Sequence, residues 1–211
     1  MRRTVHGVHL CWGTYGFWLP NDPRGSGSRE VFADHLKPFG EATFVEDRKR
    51  SRARQGHDRA LRRAAKRELL RPAVLFDGHQ ARCVAMAFGA ALKQLAISVW
   101  ACAVLPDHVH LVVAPSGIHA DPLSQQLKAR ATQSLLAAGL HPFLAEKDAD
   151  GLVPKCWQEK QWSVFKYDPT SVRRAITYVE DNPLKEGKKR QTWPFVRPYL
   201  GDGADPGKAR S

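Results

Sequence analysis

The stretch "AVLPDHVHLVVAP", residues 103–115, sets two histidines one residue apart, after a Leu-Pro-Asp turn signal and at the head of an apolar run. In a strand, residues i and i+2 share a face. His108 and His110 therefore project side by side, with Val109, Leu111 and Val113 on the opposite face. Two imidazoles so placed can both reach one divalent ion. They can equally be hydrogen-bonded to backbone or water, and an isolated His-x-His pair favours that plainer role. Two donors are also too few for a working metal site, so a third must come from elsewhere. A later segment, "DPTSVRRAITYVEDNP", offers Tyr178 and Asn182 four residues apart. On a helix they stack on one face, beside the buried stripe. A phenol can serve as a nucleophile and an amide oxygen as a metal ligand. Taken singly, an interfacial aromatic and a residue before a helix-ending proline are common features.

The elements that must hold these groups can be read from the pattern. Val5 to Thr14 is rich in β-branched and aromatic residues and predicts a first strand. "YGFWLPNDPRGSGS" is dense in Gly, Pro, Asn and Asp and predicts a long loop. Val84, Phe88, Leu92 and Leu95 recur at helical spacing within 79–97. "AISVWACAVLPDHVHLVVAP" reads as two strands joined at Pro-Asp, a hairpin whose turn Asp107 helps to make. "ADPLSQQLKARATQSLLAAGL" reads as a second helix with Asp121 as N-cap, Pro122 in the first turn and Gly139 as C-cap. Its stripe is Leu123, Leu127, Ala131 and Leu135. "QWSVFKY" is a short strand, and a third helix is opened by Asp168-Pro169 and stopped before Pro183, with Val172, Ala175, Ile176 and Val179 inward. The order predicts an α+β fold, a small antiparallel sheet with helices packed on it.

Bulk properties narrow the partners. The 211 residues carry a formal net charge of +12, which favours a polyanion. Residues 47–72 hold eleven Lys or Arg against three acids, either a solvated charged helix or a surface for backbone phosphates. The four cysteines, Cys11, Cys83, Cys102 and Cys156, are widely spaced, which argues against a disulfide framework or zinc knuckle. No apolar run is long enough to cross a membrane and the N-terminus is a poor signal peptide, so a cytoplasmic protein is expected.

"LPDHVHLVV" followed downstream by "AITYVEDNPLKEG" resembles the single-tyrosine HUH transposases of small bacterial insertion sequences and their REP-associated relatives. His108-Val109-His110 matches the family's histidine pair, and Tyr178 to Pro183 matches its tyrosine helix. The opening "VHLCWGTYGFWLPNDPRGSG" is similar to a subgroup of that family, and the resemblance runs from about Val5 to Tyr199. It implies a ferredoxin-like antiparallel sheet of the HUH endonuclease type, in one domain over 1–200, with a basic insertion at about 22–78 and a flexible tail at 201–211. It implies Tyr178 as nucleophile and Mg²⁺ or Mn²⁺ held by His108, His110 and Asn182. It further implies single-stranded DNA with hairpins as substrate, cleaved and rejoined through a 5′-phosphotyrosine, by a monomer or a homodimer. The basic stretch 47–72 lies outside the family's core pattern.

In that reading Lys128 and Arg130 on the second helix, Arg173 and Arg174 on the third, and Lys185 just after it can follow the DNA backbone, although each can also be solvent-facing charge. Trp12, Trp18, Trp157 and Trp162 can stack on unpaired bases, with core packing the commoner role. Asp107 can orient a histidine as well as make the turn. The rivals are a domesticated hairpin binder without cleavage, a metal-dependent hydrolase using water, and a basic RNA-binding module.

Overall fold

Seven consecutive buried residues, Gly7–Gly13, form β1. A strand covered on both faces belongs inside a sheet with a layer on each side. The computed structural model, which describes residues 3–23, 25, 29–31, 33–44 and 56–201, shows that arrangement. Its strands are β1, β2 (Val99–Val104), β3 (His108–Val113) and β4 (Trp162–Lys166). They form one antiparallel sheet in the order β2-β3-β1-β4. The helices are α1 (Arg59–Arg67), α2 (Gly78–Gln94), α3 (Ala120–Ala137) and α4 (Pro169–Lys185). The strand-helix-hairpin-helix-strand succession with this sheet order is the ferredoxin-like arrangement expected from the sequence.

Alternation along the strands sorts the sheet into two faces. Val8, Leu10 and Trp12 of β1 join Val109, Leu111 and Val113 of β3 against α2 and α3, in one core with Phe88, Leu92, Leu127 and Leu135. The other face carries Ala101, Ala103 and Val112 against Val172, Ala175 and Val179 of α4. His9 and Cys11 lie on this second face, because Cys11 is opposite His110 and His9 is opposite Val112 in the β1–β3 register. The small Ala101 and Ala103 on β2 leave room for a helix there.

Local chemistry sets the helix ends. Asp77 caps α2 in a reciprocal box with Gln80. Asp168 caps α4 through the Ser171 N–H, with Pro169 in the first turn. Two boundaries differ from the sequence reading. The N-cap of α3 is His119, and Asp121 sits inside the first turn, where a carboxylate suits the helix dipole. The third predicted helix does not stop before Pro183: α4 runs through it to Lys185. Proline forfeits one N–H bond, but Pro183 is buried and the carbonyls of the last turn are satisfied downstream. Gly187, at φ +68°, donates to Leu184 and Lys188 donates to Pro183, the paired bonds of a glycine-closed helix end. The extra turn carries Lys185 to the Tyr178 ring and Glu186 to within ligand distance of Asp107 and His108.

The exposed edge of β2 is covered by the chain after α4. Gln191 bonds both the N–H and the C=O of Val104, at 2.8 and 2.7 Å. The Trp193 indole donates to the Cys102 carbonyl. Of the segment between β1 and α2, α1 packs on a minor core of Leu19, Leu36 and Ala65. Residues 47–55 of the basic stretch and 202–211 of the expected tail lie outside the described residues.

Candidate active site

β3 presents His108 and His110 on the face that α4 covers, with ring centroids 5.0 Å apart and nearly perpendicular. Tyr178 descends from α4 onto them. Its ring centroid is 5.5 Å from that of His110 and 5.8 Å from that of His9. Tyr178 remains 44% exposed.

A third imidazole, not singled out from the sequence, belongs to this group. His9 Nε2 and His110 Nδ1 are 3.1 Å apart, within a single N–H bond. Burial holds His110 well below the usual histidine range, with His9, His108 and Lys185 adding to the effect. Burial, then Lys166, brings His9 down to about 4. Both rings are therefore neutral at pH 7, the form in which imidazole can bind a metal. Burial also raises the Cys11 thiol to about 12, helped by Asp107, so Cys11 remains a protonated neighbour 3.9 Å from His110 Nε2.

His108 is fixed from two sides. Its Nδ1–H donates to Asp107 Oδ1 at 2.7 Å, which leaves the Nε2 lone pair available. Its ring stacks on Phe17, centroids 4.9 Å apart. Phe17 has room there because Gly13, opposite His108 in register, has no side chain: a Cβ would come within 2.4 Å of the Phe17 ring. Asp107 thus both makes the turn and orients the histidine, whereas the sequence alone favoured the turn.

Asn182 is buried, and its amide hydrogen-bonds the Tyr178 hydroxyl from one turn further along α4. Burial is the main influence on that phenol and raises its pKa, Cys11 adds to the rise, and the Asn182 bond opposes it. Asn182, expected as the third metal ligand, thus lies beside Tyr178 on the same face of α4. Asp107, His108 and Glu186 each offer a ligand atom within 4.8 Å of the others. Glu186 follows Asn182 by four residues, so Tyr178, Asn182 and Glu186 lie in one row; reading α4 as ending before Pro183 hid that row. Lys185 sits with its ammonium 4.0 Å from the Tyr178 ring centroid.

The other expected DNA-contacting cations divide. Arg173 and Arg174 are exposed on α4, with Arg173 over the Tyr199 ring. Arg130 is exposed on α3, beyond the opposite face of the sheet from Tyr178. Lys128 corrects the expectation. Only 4% exposed, it donates to the carbonyls of Gln158, Glu159 and Lys160 at 2.8, 3.0 and 3.4 Å. Its place beside the buried stripe of α3 turns it inward, and burial brings its pKa down to about 8. Trp12 and Trp157 pack in the core, whereas Trp162 stays 41% exposed beside His9.

No family model matches this chain, and no curated protein does. Among solved structures, it is similar to a REP-associated tyrosine transposase bound to a REP hairpin, at 16% identity and a TM-score of 0.45, over 97% of this chain and 93% of that one. It is also similar to a candidate transposase from Deinococcus radiodurans R1, at 13% identity and a TM-score of 0.38, over 90% of this chain and 95% of that one. Among the described residues, no helix is long and apolar enough to cross a membrane.

Proposed function

We propose that this protein cleaves and rejoins single-stranded DNA at hairpin-flanked sites through Tyr178. The observation that carries the proposal is the placement of Tyr178 over the histidine face of the sheet, 5.5 Å from His110 between ring centroids. The net charge of +12 suits a nucleic-acid substrate.

In this reading the Tyr178 phenol loses its proton to solvent, its oxygen attacks the scissile phosphorus, a P–O bond to tyrosine forms and the P–O3′ bond breaks. The products are a 5′-phosphotyrosine and a free 3′-hydroxyl, which takes up a proton. Rejoining is the reverse step with a second 3′-hydroxyl, so the bond energy is conserved and no nucleotide cofactor is consumed. Asn182 donates to the tyrosine oxygen and favours the phenolate needed for attack. Lys185 places positive charge over the same ring.

The donor set fits a divalent cation: the neutral imidazole of His110 and the imidazole of His108 oriented by a carboxylate, with further carboxylate oxygen at hand. His108 and His110 would hold it with oxygen from Asp107, Glu186 or Asn182, and mixed nitrogen–oxygen donors suit Mg²⁺ or Mn²⁺. Such an ion would supply charge neutralisation at the scissile phosphate.

The test is a denaturing gel of protein mixed with end-labelled single-stranded hairpin oligonucleotides drawn from the DNA flanking its own gene. The expected result is a labelled protein-sized band that needs Mg²⁺ or Mn²⁺ and is missing for Tyr178→Phe. Cleavage that survives Tyr178→Phe would assign the reaction to water. Tight hairpin binding with no adduct under either metal would leave a binding protein without cleavage.

A further inference from the structure

A cavity of about 560 Å³ opens beside His108, between α1 and the turn that carries Asp107. The β1 loop supplies one wall through Phe17, the residue stacked on His108. Arg59, Arg62, Arg63 and Lys66 of α1 supply another. Their spacing, i, i+3, i+4 and i+7, puts four cations in one stripe along the helix. Asp107, whose carboxylate accepts from His108, is the acidic residue lining the cavity.

The stripe is held in place. Asp58 caps α1 through the N–H groups of Ala60 and Leu61. Arg62 pairs with Asp22, which is 1% exposed, at 3.1 Å. Ala65, on the flank of α1 next to Arg62, anchors the helix in the minor core. After α1 the chain returns to the histidine turn: Thr14 Oγ1 donates to the carbonyls of Val74 and Asp107, and the Phe76 N–H donates to Pro106. Arg62 therefore braces the helix, and among the described residues no ion pair engages Arg59, Arg63 or Lys66.

We infer that this cavity is a backbone-phosphate track: Arg59, Arg63 and Lys66 of α1 take successive phosphates of the single strand entering or leaving the His108–Tyr178 cleft. The inference rests on the proposed strand transfer for the identity of that strand. It gives the segment between β1 and α2 a job that the catalytic residues do not perform, namely holding the strand in line at the cleft. Arginine forks suit phosphate oxygens, and each contact releases counterions from the strand.

The experiment is fluorescence anisotropy of a labelled single-stranded hairpin oligonucleotide across a salt series, without divalent metal, so that binding is read apart from chemistry. For Arg59→Gln/Arg63→Gln/Lys66→Gln, the slope of log affinity against log salt should shrink by about 2, at roughly 0.7 per phosphate lost. Arg59→Gln and Arg63→Gln alone should each shrink it by about 0.7, on proteins whose melting stays that of the parent. The charge-keeping Arg59→Lys/Arg63→Lys should restore the slope, and Arg82→Gln/Lys93→Gln on α2 should leave it unchanged. An undiminished slope in the triple variant overturns the inference, even if the parent forms the Tyr178 adduct. A shrunken slope with no adduct in the parent keeps the track and overturns strand transfer.

Discussion

His9 is a neutral imidazole walled in beside another, and acid should unfold the protein through it. Its pKa falls from 6.5 to about 4 on folding, because burial and Lys166 disfavour the charged ring. The unfolded chain therefore binds a proton between those values that the folded chain refuses. A histidine lowered in this way contributes stability that is fully present above pH 6.5 and is lost as pH falls toward 4. At roughly 1.4 kcal/mol per pH unit, His9 alone accounts for a loss of about 2 kcal/mol between pH 7 and pH 5. His110 is lowered by the same burial and adds in the same direction. His9→Gln keeps a polar group within reach of His110 Nδ1 and removes the titration. Urea unfolding at pH 7, 6 and 5 should show the parent losing about 2 kcal/mol more than the variant. Carboxylates common to both proteins cancel in that difference. Parallel stability curves for the two would refute the placement of His9 as a neutral partner of His110.

Asp107→Asn removes the carboxylate that orients His108, and Mn²⁺ affinity measured calorimetrically should weaken about 10- to 100-fold. Lys128→Ala strips the ammonium from the carbonyls of Gln158, Glu159 and Lys160, and chemical denaturation should register a loss of about 2–3 kcal/mol. Gly89→Ala sets a Cβ within 2.3 Å of the Phe195 ring, so the segment after α4 should lift from α2 and the melting temperature should fall by an amount equivalent to about 1–3 kcal/mol.

Much of this arrangement was legible in the chain because two periodicities were clean. The alternation after Pro106 gave β3 and the shared face of His108 and His110; the spacing of Val172, Ala175 and Val179 gave the buried side of α4. Periodicity alone left open which face of the sheet α4 would cover, and the resemblance to HUH transposases supplied the pairing of Tyr178 with the histidines. His9 was hidden because the first strand is buried on both faces, so its polar residues carry no alternation that marks them as a site. Cys11 was hidden for the same reason. Glu186 was hidden behind Pro183, which reads as a helix stop while the actual stop is Gly187. Lys128 shows the converse limit. Charge alone suggested a surface contact, and only the loop carbonyls at Gln158, Glu159 and Lys160, distant in sequence, explain why it turns inward.

Strand transfer through Tyr178 leaves this residue covalently joined to DNA, and peptide mapping of the product reads that bond. Protein incubated with a single-stranded hairpin oligonucleotide and Mn²⁺ is digested with protease and nuclease, and the masses are read by tandem spectrometry. A nucleotide remnant is expected on the peptide that contains Tyr178, and none in a reaction with EDTA. A remnant on Tyr15, Tyr167 or Tyr199 instead, or cleaved DNA with every tyrosine unmodified, would contradict it.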